Sequence, residues 1–141
     1  PYALRFRCMR QHSCREEGHA KYLGMNVETR LFNLRAIHKA ESEIAITEGE
    51  IDALSLEECG IPAVGVPGAT AWKAHHPRMF AGFQRVWVFG DGDAAGQAFA
   101  RVVCDSVPTA TPVPVGDGAD VNLILVSEGP EYIRQMIGAT Q

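Results

Sequence analysis

The sequence predicts an α/β fold: a mostly parallel central sheet flanked by helices, preceded by a small basic segment that contains β structure. Three observations predict it. From residue 44 onward, short β-prone runs alternate with stretches of helical spacing, the rhythm of a parallel sheet. Charge is split along the chain: residues 1–39 carry eight Lys/Arg against three Asp/Glu, and residues 40–141 carry five against fourteen. Acidic residues also recur where the expected strands end. We therefore expect two units, a basic N-terminal segment over residues 1–39 and an acidic body over residues 40–141.

In the basic segment, residues 2–7 are an expected strand with Arg5 and Arg7 on one face. Residues 31–37 are expected as a second strand, and the polar loop between them carries Lys21, Tyr22 and Arg30. The body opens with a β-prone run at 44–47, then a helix over 51–59 that Gly60 stops. A strand follows at 63–66, closed by Pro67 and Gly68. Residues 74–83 are expected to be helical with an interruption at Pro77. Four apolar residues, 86–89, form the clearest buried strand, and 94–107 the clearest helix. Residues 112–115 are expected at a sheet edge, because proline cannot donate to a ladder. Terminal helices are expected over 121–127 and 131–137.

Composition excludes several classes. No apolar run approaches the roughly 20 residues that span a bilayer, and no basic-then-apolar leader is present, so neither a membrane protein nor an exported precursor is expected. The chain opens on Pro1 rather than Met, from which a longer parent is expected. Cys59 and Cys104 fall on apolar-periodic stretches and are expected as buried thiols, which suits a reducing cytoplasm. Cys8, His12, Cys14 and His19 are all zinc-ligand types, but they lack the usual C-x2-C and H-x3-5-H spacings, so no zinc is expected in this chain. Among the aromatics, Trp72 either stacks a base or plugs the core. His75 and His76 are expected at a solvated helix start.

In open parallel sheets, ligands sit beyond the carboxyl ends of the strands. Glu48 follows the first strand of the body, Asp91 and Asp93 the third, and Asp117 and Asp120 the fourth. Such a cluster costs stability unless a cation or a proton neutralises it. Mg²⁺ suits it, being a hard ion held by a few carboxylates, water and substrate phosphates; Mn²⁺ accepts the same oxygen ligands. Gly92, between Asp91 and Asp93, lets the backbone turn and aim both. The alternative is that these aspartates are turn and N-cap residues. Lys21 beside Tyr22 offers a phosphate contact and a stacking face, or is ordinary surface.

The motifs run in order: Glu48, Gly49, Asp52 and Ala53; Val66, Pro67 and Gly68; Asp91, Gly92, Asp93 and Gly96; Gly118, Asp120 and Asn122. Together they resemble the Toprim domain, shared by bacterial-type primases, type IA and type II topoisomerases and some nucleases. Their detail is most similar to phage-type primases, and Lys21, Tyr22 and Leu23 resemble a template-contacting K-Y-L segment of that branch. The resemblance implies a Toprim-like, Rossmann-like catalytic domain over residues 40–141. It implies Glu48, Asp91 and Asp93 as catalytic residues, and those three with Asp120 as ligands of Mg²⁺ or Mn²⁺. Asp52, Asn122, Gly49, Gly68 and Gly96 would support the site; Arg5, Arg7, Lys21, Tyr22, Arg30 and Arg35 would contact nucleic acid. Ala119 stands where lysine or glutamate is common, and Asn122 stands where many relatives carry a second aspartate. The latter change reduces the carboxylate count.

The function so implied is synthesis of short RNA primers on single-stranded DNA from ribonucleoside triphosphates, in a bacterial or phage-infected cytoplasm. A replicative helicase and a separate zinc-binding primase chain or domain are the expected partners. A Toprim nuclease and a non-catalytic nucleic-acid-binding module are the rival functions. No tyrosine stands in a nucleophile context, which counts against a complete topoisomerase.

Overall fold

The computed structural model describes residues 4–20, 22–25 and 30–138. Its central sheet has four strands, β3 (Glu43–Thr47), β4 (Ala63–Gly65), β5 (Arg85–Phe89) and β6 (Ala110–Pro112), after an N-terminal pair, β1 (Arg5–Arg7) and β2 (Tyr22–Gly24). The sheet order is β4-β3-β5-β6, and every pairing is parallel. The helices are α1 (Arg35–Lys39), α2 (Glu50–Glu58), α3 (Ala94–Ser106), α4 (Val121–Glu128) and α5 (Pro130–Met136).

Strand alternation sorts the core into two layers. Ile44, Ile46, Val64, Val86 and Val88 face α3, whose Phe99 and Val103 are buried against them. Ala45 and Phe89 point to the other face, where Ala53 and Leu56 of α2, Ile124 of α4 and Ile133 of α5 close over them. Burying Phe89 or Phe99 contributes about 1.5–3 kcal/mol each. The expected parallel sheet with flanking helices is therefore present.

Four local expectations need correction or refinement. Residues 31–37 are not a strand. Phe32 makes a single antiparallel bridge to Gly65, Asn33 takes φ 57°, and α1 follows. Asparagine tolerates that left-handed conformation, and its amide donates to Ala63 O (2.9 Å) and Glu57 Oε1 (3.0 Å), fixing the corner. The expected polar loop contains β2, which pairs antiparallel with β1 through Arg7 opposite Tyr22. Three residues are too few to show a period, so only the partner strand reveals it. Residues 74–83 hold no α-helix but a short 3-10 turn at His76–Met79, since Pro77 cannot donate inside a helix. Finally, the edge strand sits at Ala110–Pro112, earlier than 112–115.

Trp72 and His76 belong to the core. Trp72 Nε1 donates to Ser106 Oγ (3.1 Å), and its ring lies against Phe80. His76 is 4% exposed rather than solvated; its Nδ1 accepts the Lys73 N–H (3.1 Å), and burial pushes its pKa down. Cys59 is buried, and Cys104 is half-buried.

Candidate functional site

The sheet order creates a crevice. From β3 the chain leaves through α2 on one face to β4; from β5 it leaves through α3 on the opposite face to β6. Single-handed crossovers in opposite directions require opposite faces. The strands where the directions diverge, β3 and β5, lie side by side with Thr47 opposite Phe89. Beyond their carboxyl ends is the topological switch point, where ligands bind in open α/β sheets.

Glu48 leaves β3 at that point, its N–H donating to Phe89 O (3.2 Å). Its carboxylate accepts the backbone N–H of Asp91, while its Oε2 is buried without a hydrogen-bond partner among the described residues. Asp91 follows β5. Burial first, then the charges of Glu48, Asp52, Asp120 and Asp93, push its carboxyl pKa up to about 6. Burial and the charges of Asp93 and Asp52 push Glu48 up as well, against the Asp91 N–H. Carboxylates 43 residues apart in sequence, Glu48 and Asp91, thus share one electrostatic site.

Asp93 and Asp120 are N-caps. Asp93 Oδ1 accepts from Gly96 N (2.8 Å) at the start of α3, and Asp120 Oδ1 accepts from Leu123 N (2.6 Å) at the start of α4. The capping alternative and the ligand reading are compatible, because each cap uses one oxygen and leaves Oδ2. Both carboxylates also lie at helix N-termini, whose backbone N–H groups point toward them. Asp117 is exposed.

Backbone proximity holds the Asp91–Asp93 turn. Gly92 N donates to Ala119 O (2.8 Å), and Gly118 N donates to Gly92 O (2.8 Å). A Cβ on Gly92 would overlap the Gly116 carbonyl oxygen, and one on Gly96 would overlap the backbone of Asp91. Glycine at both positions allows α3 and the 116–119 loop to close on the turn. Gly49 is the N-cap of α2, where a Cβ would lie 2.7 Å from Asp52 Oδ2. Gly68 donates its N–H to Glu48 O (3.2 Å).

Asp52 is 9% exposed, and its Oδ1 accepts the Asn122 N–H (3.1 Å). Burial pushes its pKa up, partly offset by that bond. The Asn122 amide donates to Ser55 Oγ (3.1 Å) rather than reaching the carboxylates. Asp52, Ser55 and Asn122 thus fasten the start of α4 to α2. The sequence offered no signal for Ser55, whose role appears only when the helices meet.

The candidate nucleic-acid residues lie apart from this crevice in the chain. Arg7 and Tyr22 are exposed partners across the β1–β2 pair, with Arg7 Cζ 5.8 Å from the Tyr22 ring centroid. Arg30 and Arg35 are exposed. Lys21, the Arg5 side chain and the first two residues of the expected strand over 2–7 lie outside what the structure describes.

The expectation of no zinc is overturned. Cys8, His12, Cys14 and His19 each bring a donor atom to within 4.8 Å of the others. Tight turns achieve this without zinc-ribbon spacing: His12 N donates to Arg10 O (3.1 Å), and His19 N donates to Cys14 O (2.9 Å), with Gly18 at φ 74°. Among the described residues, no helix is long and apolar enough to cross a membrane.

Comparison with known proteins agrees with the architecture. The Toprim domain family matches residues 43–131. The Gene 57 protein of Mycobacterium phage D29 is 42% identical over 123 residues, covering 86% of this chain and 81% of that protein. The crystal structure of a DNA primase domain from Pseudomonas aeruginosa superposes with a TM-score of 0.75 at 25% identity, over 96% of this chain and 46% of that one. A bacteriophage T7 structure, in which a lagging-strand DNA polymerase interacts with primase domains of two gp4 subunits bound to an RNA/DNA hybrid and dTTP, matches at TM-score 0.59 and 26% identity, over 68% of this chain and 53% of that one. This chain spans about half the length of these solved primase chains. By the matched domain, the strand-end carboxylates and the sheet order, the chain belongs to the Toprim domain family and is related to the catalytic cores of phage and bacterial primases.

Proposed function

We propose that this chain is a primase catalytic core that makes short RNA primers on single-stranded DNA from ribonucleoside triphosphates. The observation that carries this reading is the convergence of Glu48, Asp91, Asp93 and Asp120 beyond β3 and β5 in a chain of this family. A divalent cation fits these residues. They offer hard oxygen donors, one buried carboxylate oxygen without a partner, and mutual repulsion that a cation relieves. When bound, Mg²⁺ or Mn²⁺ supplies charge neutralisation at the triphosphate and activation of the attacking hydroxyl.

The chain's own residues do the rest. Glu48, Asp91, the free oxygen of Asp93 and that of Asp120 hold the cation. Glu48, its pKa raised by burial, is suited to take the proton of the attacking 3′-hydroxyl. Gly92 and Gly96 keep the Asp91–Asp93 turn in place, and Asp52 with Asn122 keeps Asp120 aligned through α4. Arg5, Arg7, Lys21, Arg30 and Arg35 contact template phosphates, and Tyr22 offers a stacking face. Catalysis by such a site is positioning plus electrostatics. A replicative helicase remains the expected partner.

The test is incubation with circular single-stranded DNA, labelled ribonucleotides and Mg²⁺ or Mn²⁺, beside an Asp91→Asn control. Template-dependent labelled oligomers, absent from the control, support primer synthesis. Linear or fragmented DNA with no incorporated label would replace it with a nuclease.

A further inference from the structure

Among the described residues, the N-terminal segment has no hydrophobic core. Across residues 4–25, the only described side chains that are not exposed are Cys8, His12 and Cys14. The apolar residues that would otherwise form a core face solvent: Phe6 is 62% exposed, Leu23 63% and Met9 84%. What the segment half-buries instead is Cys8, His12 and Cys14, with His19 exposed beside them.

Their geometry suits one ion. His12 Nε2 lies 2.8 Å from His19 Nε2 and 3.8 Å from Cys8 Sγ, and all four donor atoms fall within 4.8 Å. Tetrahedral zinc, with Zn–S of about 2.3 Å and Zn–N of about 2.0–2.1 Å, places its ligand atoms about 3.3–3.8 Å apart. The observed separations bracket that range, so loading requires shifts of about 1 Å or less from that geometry. The histidine pair opens slightly, and the widest pair closes.

His19 is already oriented for the task. Its Nδ1 lies 3.1 Å from Ala20 O, so Nδ1–H donates there and Nε2 presents a lone pair toward the cluster. His12 Nε2 is then the donor of the His12–His19 hydrogen bond, so ligation through Nε2 requires His12 to take the Nδ1–H tautomer, with no net proton lost from the ring. The two thiols do lose their protons, so binding strengthens as pH rises.

We propose that Cys8, His12, Cys14 and His19 bind one Zn²⁺ as a closed structural site that serves as the missing core of the N-terminal segment. Four protein ligands leave no open position, which separates this site from the carboxylate crevice in chemistry and in purpose. The donors line an open pocket of about 740 Å³ that Arg7, Arg10 and Arg15 also line. Zinc therefore fixes the spacing of three cations that would otherwise sit on an uncored loop.

The experiment is metal analysis of the purified full chain, with cobalt substitution and limited trypsin digestion. Expected are one zinc per chain, a cobalt form with thiolate charge-transfer bands and tetrahedral d–d bands, and slow cleavage after Arg10 and Arg15. A zinc-selective chelator should accelerate that cleavage and leave the melting of the central sheet unchanged. The Cys8→Ser/Cys14→Ser double variant should lose the zinc and the cobalt bands, and Cys104→Ser should retain both. Absence of zinc after reconstitution, equal zinc in the double variant, or cleavage indifferent to chelation would overturn the proposal. None of these readouts depends on primer synthesis.

Discussion

Replacing Asp91 by Asn removes one charge from the carboxylate cluster and keeps the side chain's shape. In the native chain the Asp91 carboxyl pKa is raised from 3.8 to about 6 by burial and by Glu48, Asp52, Asp120 and Asp93. Above pH 6 the group is ionised in both native and unfolded chains, and the native chain carries the full unfavourable cost. Below about pH 3.8 it is neutral in both and the cost is absent. Stability linked to this group therefore falls as pH rises from about 4 to about 6. The raised value corresponds to at most about 3 kcal/mol, and solvent screening at this half-buried site reduces it to about 1–2 kcal/mol. For a chain of this size, that is a rise in melting temperature of about 4–8 °C for Asp91→Asn at pH 7.5 in a divalent chelator. The assay is thermal melting of both proteins across pH, with and without Mg²⁺. The variant should melt higher in chelator, the gap should close toward pH 4, and Mg²⁺ should raise the melting point of the parent chain far more than that of the variant. A variant that melts lower in chelator at pH 7.5, or an equal response to Mg²⁺, would refute the reasoning.

Further outcomes follow from neighbouring residues. Asp93→Asn should keep the α3 cap and melt within about 0.5 kcal/mol of the parent, and Asp93→Ala should lose about 1 kcal/mol; both should lose primer synthesis. Melting and ribonucleotide incorporation, measured side by side, separate the two effects. Gly92→Ala forces a methyl onto the Gly116 carbonyl and should cost about 1–3 kcal/mol or more, with loss of the Mg²⁺-dependent shift in melting. Asn122→Ala leaves the Asp52 bond to the backbone intact and removes the one to Ser55. It should cost about 1 kcal/mol in denaturant unfolding and lower incorporation less than Asp91→Asn does.

What the sequence conveyed depended on how local its signal was. The apolar run 86–89 and the alternation of runs and helical spacings need only a neighbourhood, and they predict β5, α3 and the parallel sheet. Glu48, Asp91 and Asp120 were singled out because each follows a strand or opens a helix, a placement visible in one dimension. The parallel-sheet reading predicts their mutual repulsion, but which carboxylates press on one another depends on β3 and β5 lying side by side. The misread stretches are those whose conformation is set from a distance. Residues 31–37 look β-prone, but Asn33 finds partners in Glu57 and Ala63, and the chain turns into α1. His76 is buried beside Trp72, whose ring lies against Phe80 and whose indole N–H reaches Ser106 of α3. The zinc-ligand types at 8, 12, 14 and 19 are plain in the sequence, but spacing rules drawn from ribbons and fingers do not describe donors joined by tight turns.

The central claim is that Glu48, Asp91, Asp93 and Asp120 hold a divalent cation. The most direct measurement is a Mn²⁺ titration of the full chain, following loss of the free-ion electron paramagnetic resonance signal, beside Glu48→Gln and Asp91→Asn. The account predicts saturable binding that Mg²⁺ competes away and that each substitution weakens at least tenfold. Mn²⁺ binding of unchanged affinity in both variants would contradict it.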